Sequence, residues 1–256
     1  MKRYCCLLGI FVFMFGFINC GDNKTKEKLI NGTIVTGGPV VQLTPVEYTA
    51  ATVARNANIV ASLTSIGIKT TFPSQRRSTA ESQASYRSSS DGFLDFSAFY
   101  PGVSIKFYAD EGKTTLALIP DVADPWIILR VNASSYSGEF TAHQSALPYK
   151  TITEGTITSP DPLGGNFTST ISNVPYTTVV ANTLGLPIGG TLSLSSPSGT
   201  NGTFTFSGTA GVFTCTGTMT FQQETIAISL IFDTTAKKYA GSYTDAKGSH
   251  SIPQLP

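Results

Sequence analysis

Hydrophobic and polar residues alternate with a period of two along most of the chain. Val103, Ile105 and Phe107 are interleaved with Ser104, Lys106 and Tyr108, and Asp110-Glu111-Gly112-Lys113 then turns the chain towards Leu116. Such alternation predicts half-buried strands. Trp126 to Val131 is a nearly continuous apolar run, which predicts a strand covered on both faces. Further strands are predicted at 151–158, 166–172, 190–195, 202–207, 212–221, 225–233 and 238–244, separated by Gly, Pro, Asn and Asp. Thr225 to Phe232 is apolar on both faces and uncharged, so it reads as a central strand, since at an edge it would invite aggregation. Thr214, Thr216, Thr218 and Thr220 stand opposite Phe213, Cys215, Met219 and Phe221. Within one strand, a Thr row is the ordinary wet face of a sheet.

One segment departs from this period. Thr44-Pro45-Val46-Glu47 is a capping box with proline at the first helical position. Val46, Val53, Ile59, Val60, Leu63 and Ile66 follow at helical spacing, and Gly67 stands where the helix is expected to stop. Five alanines between Ala50 and Ala61 give it a slim surface suited to packing on a sheet. The fold class that follows is mainly β: an antiparallel sandwich or meander barrel with one N-terminal helix packed on it. Residues 29–35 would add an edge strand. A change of composition near residue 150 divides a helix-plus-β region, 44–150, from an all-β region, 151–256. The two are read as β-rich halves packed together.

Composition sharpens this picture. Thr (35) and Ser (27) together make up nearly a quarter of the 256 residues, while charged residues make up 13%, about half the usual share. Between Lys150 and Lys237 no Lys or Arg occurs. A net charge of +1 excludes nucleic acid as a partner, because phosphate binding needs a clustered basic surface. Residues 73–92 hold three Arg and seven Ser with one aromatic and cannot bury much surface. They are expected to form a long mobile loop, with Arg76, Arg77, Tyr86 and Arg87 as a candidate interaction site. Ser159-Pro160, Gly165 and Phe167-Thr168 recur 37 residues later as Ser196-Pro197, Gly202 and Phe204-Thr205, which is read as one turn chemistry used twice.

Candidate chemistry is sparse. The sequence holds no nucleophile elbow, phosphate loop or metal-ligand spacing. His143 and His250 stand alone, and the acid pairs Asp91/Asp95, Asp110/Glu111 and Asp121/Asp124 lie by Gly or Pro, where Asp serves turn geometry. Phe93, Phe96, Phe99 and Tyr100 cluster as a core plug or the wall of a ligand site. Cys215 reads as a small buried hydrophobe. No cofactor, no metal and no catalytic residue are expected.

The N-terminus points to export. Lys2 and Arg3 precede a stretch without charge, Tyr4 to Ile18, followed by Asn19-Cys20-Gly21. This is the pattern of a secretory signal, and it is short of the roughly 20 apolar residues of a membrane span. Phe17-Ile18-Asn19 lacks the small residues of an ordinary signal-peptidase site. Cys20, directly after the apolar run, resembles the modified cysteine of a bacterial lipoprotein, with the looser, spirochaete-type lipobox. That resemblance implies a signal peptide at 1–19, cleavage before Cys20, its acylation by chains such as palmitate, and a tether over 20–43. Gly21 in place of the Asp that signals inner-membrane retention implies the outer membrane. Cys5 and Cys6 would leave with the signal, and Cys215 would have no disulfide partner.

The function expected is a non-enzymatic interaction or adhesion module, anchored to the membrane through Cys20 and binding a protein or a glycan. The alternative is a carrier holding a small apolar ligand in a β-barrel cup. A hydrolase is the least favoured reading.

Overall fold

The computed structural model describes residues 29–30, 33–34, 43–70, 93–95, 102–117, 125–143, 151–179 and 184–255. Most of the expected tether, the 73–92 loop, and the Phe96–Tyr100 and Asp121–Asp124 segments lie outside the described residues. Two short strands, β1 (Leu29–Ile30) and β2 (Thr33–Ile34), pair with each other as a separate hairpin. They do not join the edge of the main sheet as expected.

Helix α1 (Pro45–Thr70) begins as its sequence dictates. The Thr44 N–H donates to Glu47 Oε2 at 2.7 Å, and the Glu47 N–H donates back to Thr44 Oγ1 at 3.3 Å. The helix continues through Gly67 to Thr70. Glycine lowers helix propensity by about 1 kcal/mol without forbidding the conformation, and a weak local penalty does not stop an established helix.

The remaining elements are strands. They are β3 (Leu94–Asp95), β4 (Val103–Tyr108), β5 (Trp126–Asn132), β6 (Ser137–His143), β7 (Thr151–Pro160), β8 (Asn166–Val179), β9 (Leu184–Pro187), β10 (Thr191–Ser195), β11 (Asn201–Thr209), β12 (Val212–Phe221), β13 (Glu224–Asp233), β14 (Lys238–Asp245) and β15 (Gly248–Ser251). All thirteen belong to one antiparallel sheet in near-sequential order, with β6 and β7 pairing directly across the compositional change at residue 150. The mainly β meander with one packed helix is thus the fold, built as a single curled sheet that does not close.

Strands β9 and β10 are two parts of one return strand. Tyr176 pairs with Pro187, and Ser172 pairs with Thr191 in the same register. Between these pairs Asn173 (φ +49°) faces Gly190 (φ +89°). Two left-handed residues opposite each other bend the hairpin. A Cβ on Gly190 would lie 2.4 Å from the Asn173 carbonyl oxygen, so the bend requires glycine there. The bend carries the distal hairpin over α1, where Tyr176 Oη donates to the Val60 carbonyl at 2.6 Å.

Burial alternates along the strands, and the pattern corrects one expectation and bears out another. In β5, Ile127, Leu129 and Val131 are buried, while Ile128 is half-exposed and Arg130 exposed. The apolar run therefore covers one face rather than two, with Ile128 on the outside. In β13, Ile226, Ile228, Leu230 and Phe232 face the core, and Ala227 and Ile231 face outwards. Its place between β12 and β14 is central, as its composition requires.

The buried face wraps α1. Arg55, Asn56 and Asn58 lie within one helical turn, yet they reach very different strands. The guanidinium of Arg55 lies over Tyr136 in the β5–β6 turn, and Asn56 Nδ2 donates to Ser169 Oγ of β8 at 2.8 Å. Asn58 binds Tyr239 of β14. In a flat sheet β8 and β14 would be about 24 Å apart at ~4.8 Å per strand, twice the thickness of a helix. Only a curled sheet brings them to one turn of α1. Accordingly Tyr48, Ala50, Val53, Ala57, Val60 and Leu63, on different sides of the helix, are all buried. The hydroxyls of Thr49 and Thr52 turn back to the carbonyls of Pro45 and Tyr48, which satisfies them inside the core.

The Asn58 side chain also finishes an edge. β15 pairs with β14 from Ser242 to Asp245, leaving Tyr239 beyond its reach. The amide of Asn58 accepts from the Tyr239 N–H at 2.5 Å and donates to its C=O at 3.3 Å, as a neighbouring strand would. Replacing Asn58 by Ala leaves both backbone groups unpaired and should lower stability by about 2–3 kcal/mol. Urea unfolding with an unchanged slope, together with faster hydrogen exchange at the Tyr239 amide, would verify this; a loss within 0.5 kcal/mol would contradict it.

Candidate interaction surface

The outer face of the sheet is built from the residues that alternate with the core. From β8 to β12 its outward positions are Thr, Ser or Asn, apart from Pro175 beyond the bend of β8 and Val212 at the end of β12. Strand pairing sets these hydroxyls in register. One rung runs through Asn132, Ser137, Thr158, Thr168, Ser195, Asn201, Thr220 and Thr225. A second runs from Arg130 and Glu139 through Thr156, Thr170, Ser193, Thr203 and Thr218 to Ala227 and Thr244. A third joins Glu154, Ser172, Thr191, Thr205, Thr216, Ser229, Ser242 and Ser251. The Thr row of β12 is therefore one column of a grid, not a feature of a single strand. Ser193 Oγ and Thr203 Oγ1 stand 3.5 Å apart across neighbouring strands. Because the sheet curls around α1, the grid is convex.

Charge appears at the borders of this grid. Arg130 Nε donates to Glu139 Oε2 at 2.5 Å, and the Arg130 guanidinium lies 3.8 Å above the Phe93 ring. Lys106 approaches the same ring at 5.5 Å. Phe93, buried at the start of the expected aromatic cluster, is thus held between two cations beside β4 and β5. Two open grooves indent the face near the strand turns and share Thr158. One of about 560 Å³ is lined by Gly165, Asn166, Thr168, Ser195 and Pro197 among others. The other, of about 440 Å³, is lined by Arg130, Asn132, Ser137, Glu139 and Thr156 among others.

The turns beside the grooves are tied by a buried carboxylate. Asp161 accepts from the Leu163 N–H at 2.8 Å, from Ser198 Oγ at 2.7 Å and from Ser196 Oγ. It thereby joins the β7–β8 turn to the β10–β11 turn. Both turns close in the same way: Asp161 N–H to Gly165 O and Gly164 N–H to Asp161 O in one, Ser196 N–H to Thr200 O and Gly199 N–H to Ser196 O in the other. The same turn is used twice, but Asp161 corresponds to Ser196, 35 residues on, rather than 37. The Ser-Pro pairs consequently differ in position: Pro160 ends β7, and Pro197 lies inside its turn.

The remaining candidates have local partners. His143 stacks on Trp126 at 4.5 Å, and His250 stacks on Tyr243 and lies 3.0 Å from Asp245 Oδ1. The two histidines stand on β6 and β15, far apart in strand order. Asp110 caps its turn through the N–H groups of Thr114 and Thr115. Cys215 is buried, and burial pushes its thiol up to about 12, leaving it protonated and unreactive at neutral pH. Among the described residues no three His, Cys, Asp or Glu side chains gather as a metal site. Cys20, Arg76, Arg77, Tyr86 and Arg87 lie outside the described residues. Sequence reading missed the grid, since register between strands is not written in any one of them. It missed Asp161 as well, whose partners lie 35 and 37 residues away. The chain matches no family model, no curated protein and no solved structure.

The acid turns set a pH dependence. Backbone N–H bonds from Thr114 and Thr115 hold Asp110 below the usual carboxylate range, and those from Ala236 and Thr235 do the same for Asp233. A depressed folded pKa stabilises above the unfolded value of about 3.9, and that contribution is lost as pH falls through the folded value. Urea midpoints measured between pH 6 and pH 2 should fall in the acid range, and less steeply in Asp110→Asn. An identical acid slope in that variant would contradict the role of Asp110.

Proposed function

We propose that this chain is a lipid-anchored protein of the cell envelope, held at the outer membrane through Cys20, and that it acts as a non-enzymatic interaction module. Its docking surface is the convex hydroxyl grid with the two grooves, and its partner is a neutral glycan or an uncharged protein surface. The observation that carries this reading is the registered run of Thr and Ser across β8 to β12, free of charged side chains. Each hydroxyl offers a donor and an acceptor and is far cheaper to strip of water than an ion. Such a face suits a partner that is itself polar and uncharged.

Two further observations favour this over the alternatives. The concave side of the sheet, where a carrier would hold apolar cargo, is filled by α1. The histidines and Asp110 that a hydrolase would draw on are engaged in stacking and turn geometry.

Thr170→Lys with Thr216→Lys places two charges on separate strands of the grid at exposed positions. Surface changes of this kind alter stability by about 0.5 kcal/mol or less each. Against immobilised neutral polysaccharides and extracellular-matrix proteins, the double variant should bind at least about tenfold more weakly than wild type. Equal binding would remove the grid from the docking role. In cells, Cys20→Ser should abolish incorporation of labelled palmitate and move the protein out of the membrane fraction. Membrane retention without label would contradict anchoring at Cys20.

A further inference from the structure

Arg55 lies on α1, facing the inside of the curled sheet, in a setting that the outer face does not explain. Its guanidinium carbon is 5.4 Å from the centre of the Tyr136 ring, and Tyr48 lies close enough to act on it electrostatically. These two phenols are the groups that act on it electrostatically. Asp161 acts on Tyr48. None of the ion pairs among the described residues includes Arg55. Its Nε and Nη2 are sealed from solvent and have no hydrogen-bond partner.

The two bare atoms are not an arbitrary pair. Nε–H and Nη2–H project from the same side of the planar guanidinium, and with that edge arginine grips both oxygens of a carboxylate or phosphate. Burial lowers the pKa of Arg55 from its ordinary value, yet a guanidinium stays charged in a protein. A desolvated cation without a counter-charge is strongly unfavourable. The neighbouring Asn56 Oδ1 and the Ser159 Oγ of β7 are also buried without partners. Internal water can serve those neutral groups, but it does not neutralise a cation.

We propose that the Arg55 fork binds a small oxyanion, a carboxylate or a phosphate group, with Tyr48 and Tyr136 as its walls. Tyr136 sits on a short turn closed by the Ala133 N–H to the Tyr136 carbonyl, and its ring is the wall that moves to admit the anion. Two sources present this chemistry: the headgroup of an amphiphile, and a free small anion. The site is independent of the docking role of the outer face.

The test is thermal unfolding of the full mature chain in sodium chloride, phosphate, acetate and decanoate at pH 7 and matched ionic strength, with Arg55→Met and Arg55→Lys beside it. Wild type should gain about 5 °C or more in at least one oxyanion relative to chloride, with saturation. Arg55→Met should lose the gain while matching or exceeding wild type in chloride, because an uncompensated buried charge has been removed. Arg55→Lys keeps the charge without the fork and should bind at least about tenfold more weakly. A response to decanoate far below the acetate concentrations needed identifies an amphiphile headgroup; similar responses to acetate and phosphate identify a free anion. Unfolding of wild type that is the same in every salt, or a gain that persists in Arg55→Met, overturns the site. Should Arg55→Met fail to fold, the Nε–Hε resonance missing from Arg55→Lys supplies the answer in the wild type. It moves as phosphate or decanoate is titrated if the fork binds, and its remaining fixed overturns the proposal.

Discussion

A sheet that does not close on itself leaves backbone groups to satisfy along its edges, and where β14 runs beyond its pairing with β15 the Asn58 amide does so. Its two hydrogen bonds to Tyr239 let a helix stand in for a strand at the edge of β14, which removes a template for unwanted pairing. The same turn of α1 also holds β8 through Asn56 and Ser169, and Val60 one turn on accepts from Tyr176. The curl of the sheet, the burial of the helix on different sides and the bend at Asn173 and Gly190 all follow from fastening distant strands to one short length of helix. The apolar contacts supply the bulk of the driving force, while these few polar bonds select where each strand meets the helix.

Once the sheet curls inwards around α1, its other face must be convex and wet. A thin helix rich in alanine suits the inside of such a curl, and Gly217 and Gly241, at inward-facing positions of β12 and β14, are points where neighbouring backbone passes too close for a Cβ. The outside takes the complementary pattern. Threonine combines a β-branched shape with an uncharged hydroxyl, so the strands keep their propensity without the mutual repulsion of closely spaced like charges. A grid of hydroxyls on one side and a helix-filled core on the other are thus two consequences of one alternating pattern. Arg55 breaks that pattern, its Nε and Nη2 being sealed within the wrapped side.

Much of the architecture was legible along the chain. The capping box at Thr44 and Glu47 announced the start of α1, and the strands after residue 150 stand close to where alternation placed them. Local signals of this kind depend on neighbours one to four residues apart, which any reader of the chain can see. The end of α1 was less legible, because Gly67 is a weak stop when the surrounding core favours helix. The apolar run of β5 misled for a related reason: Ile128 faces outwards on a sheet with one buried face, so continuous hydrophobicity there does not signal burial on both.

The sequence by itself determined the class of fold, the helix start, the positions of most strands, though not of β6, β9 or β15, and the hydroxyl-rich, nearly charge-free character of the surface, since these follow from composition and from periodicity within single segments. Tertiary structure alone decided which hydroxyls share a rung, that Asp161 joins two turns, that Asn58 completes an edge, and that Arg55 lies beside two phenols with no ion pair among the described residues. Each of these depends on groups brought together from 35 to 181 positions apart along the chain or across several strands. Such meetings are set by register and by the curl of the sheet around a helix, and no window on the sequence contains them.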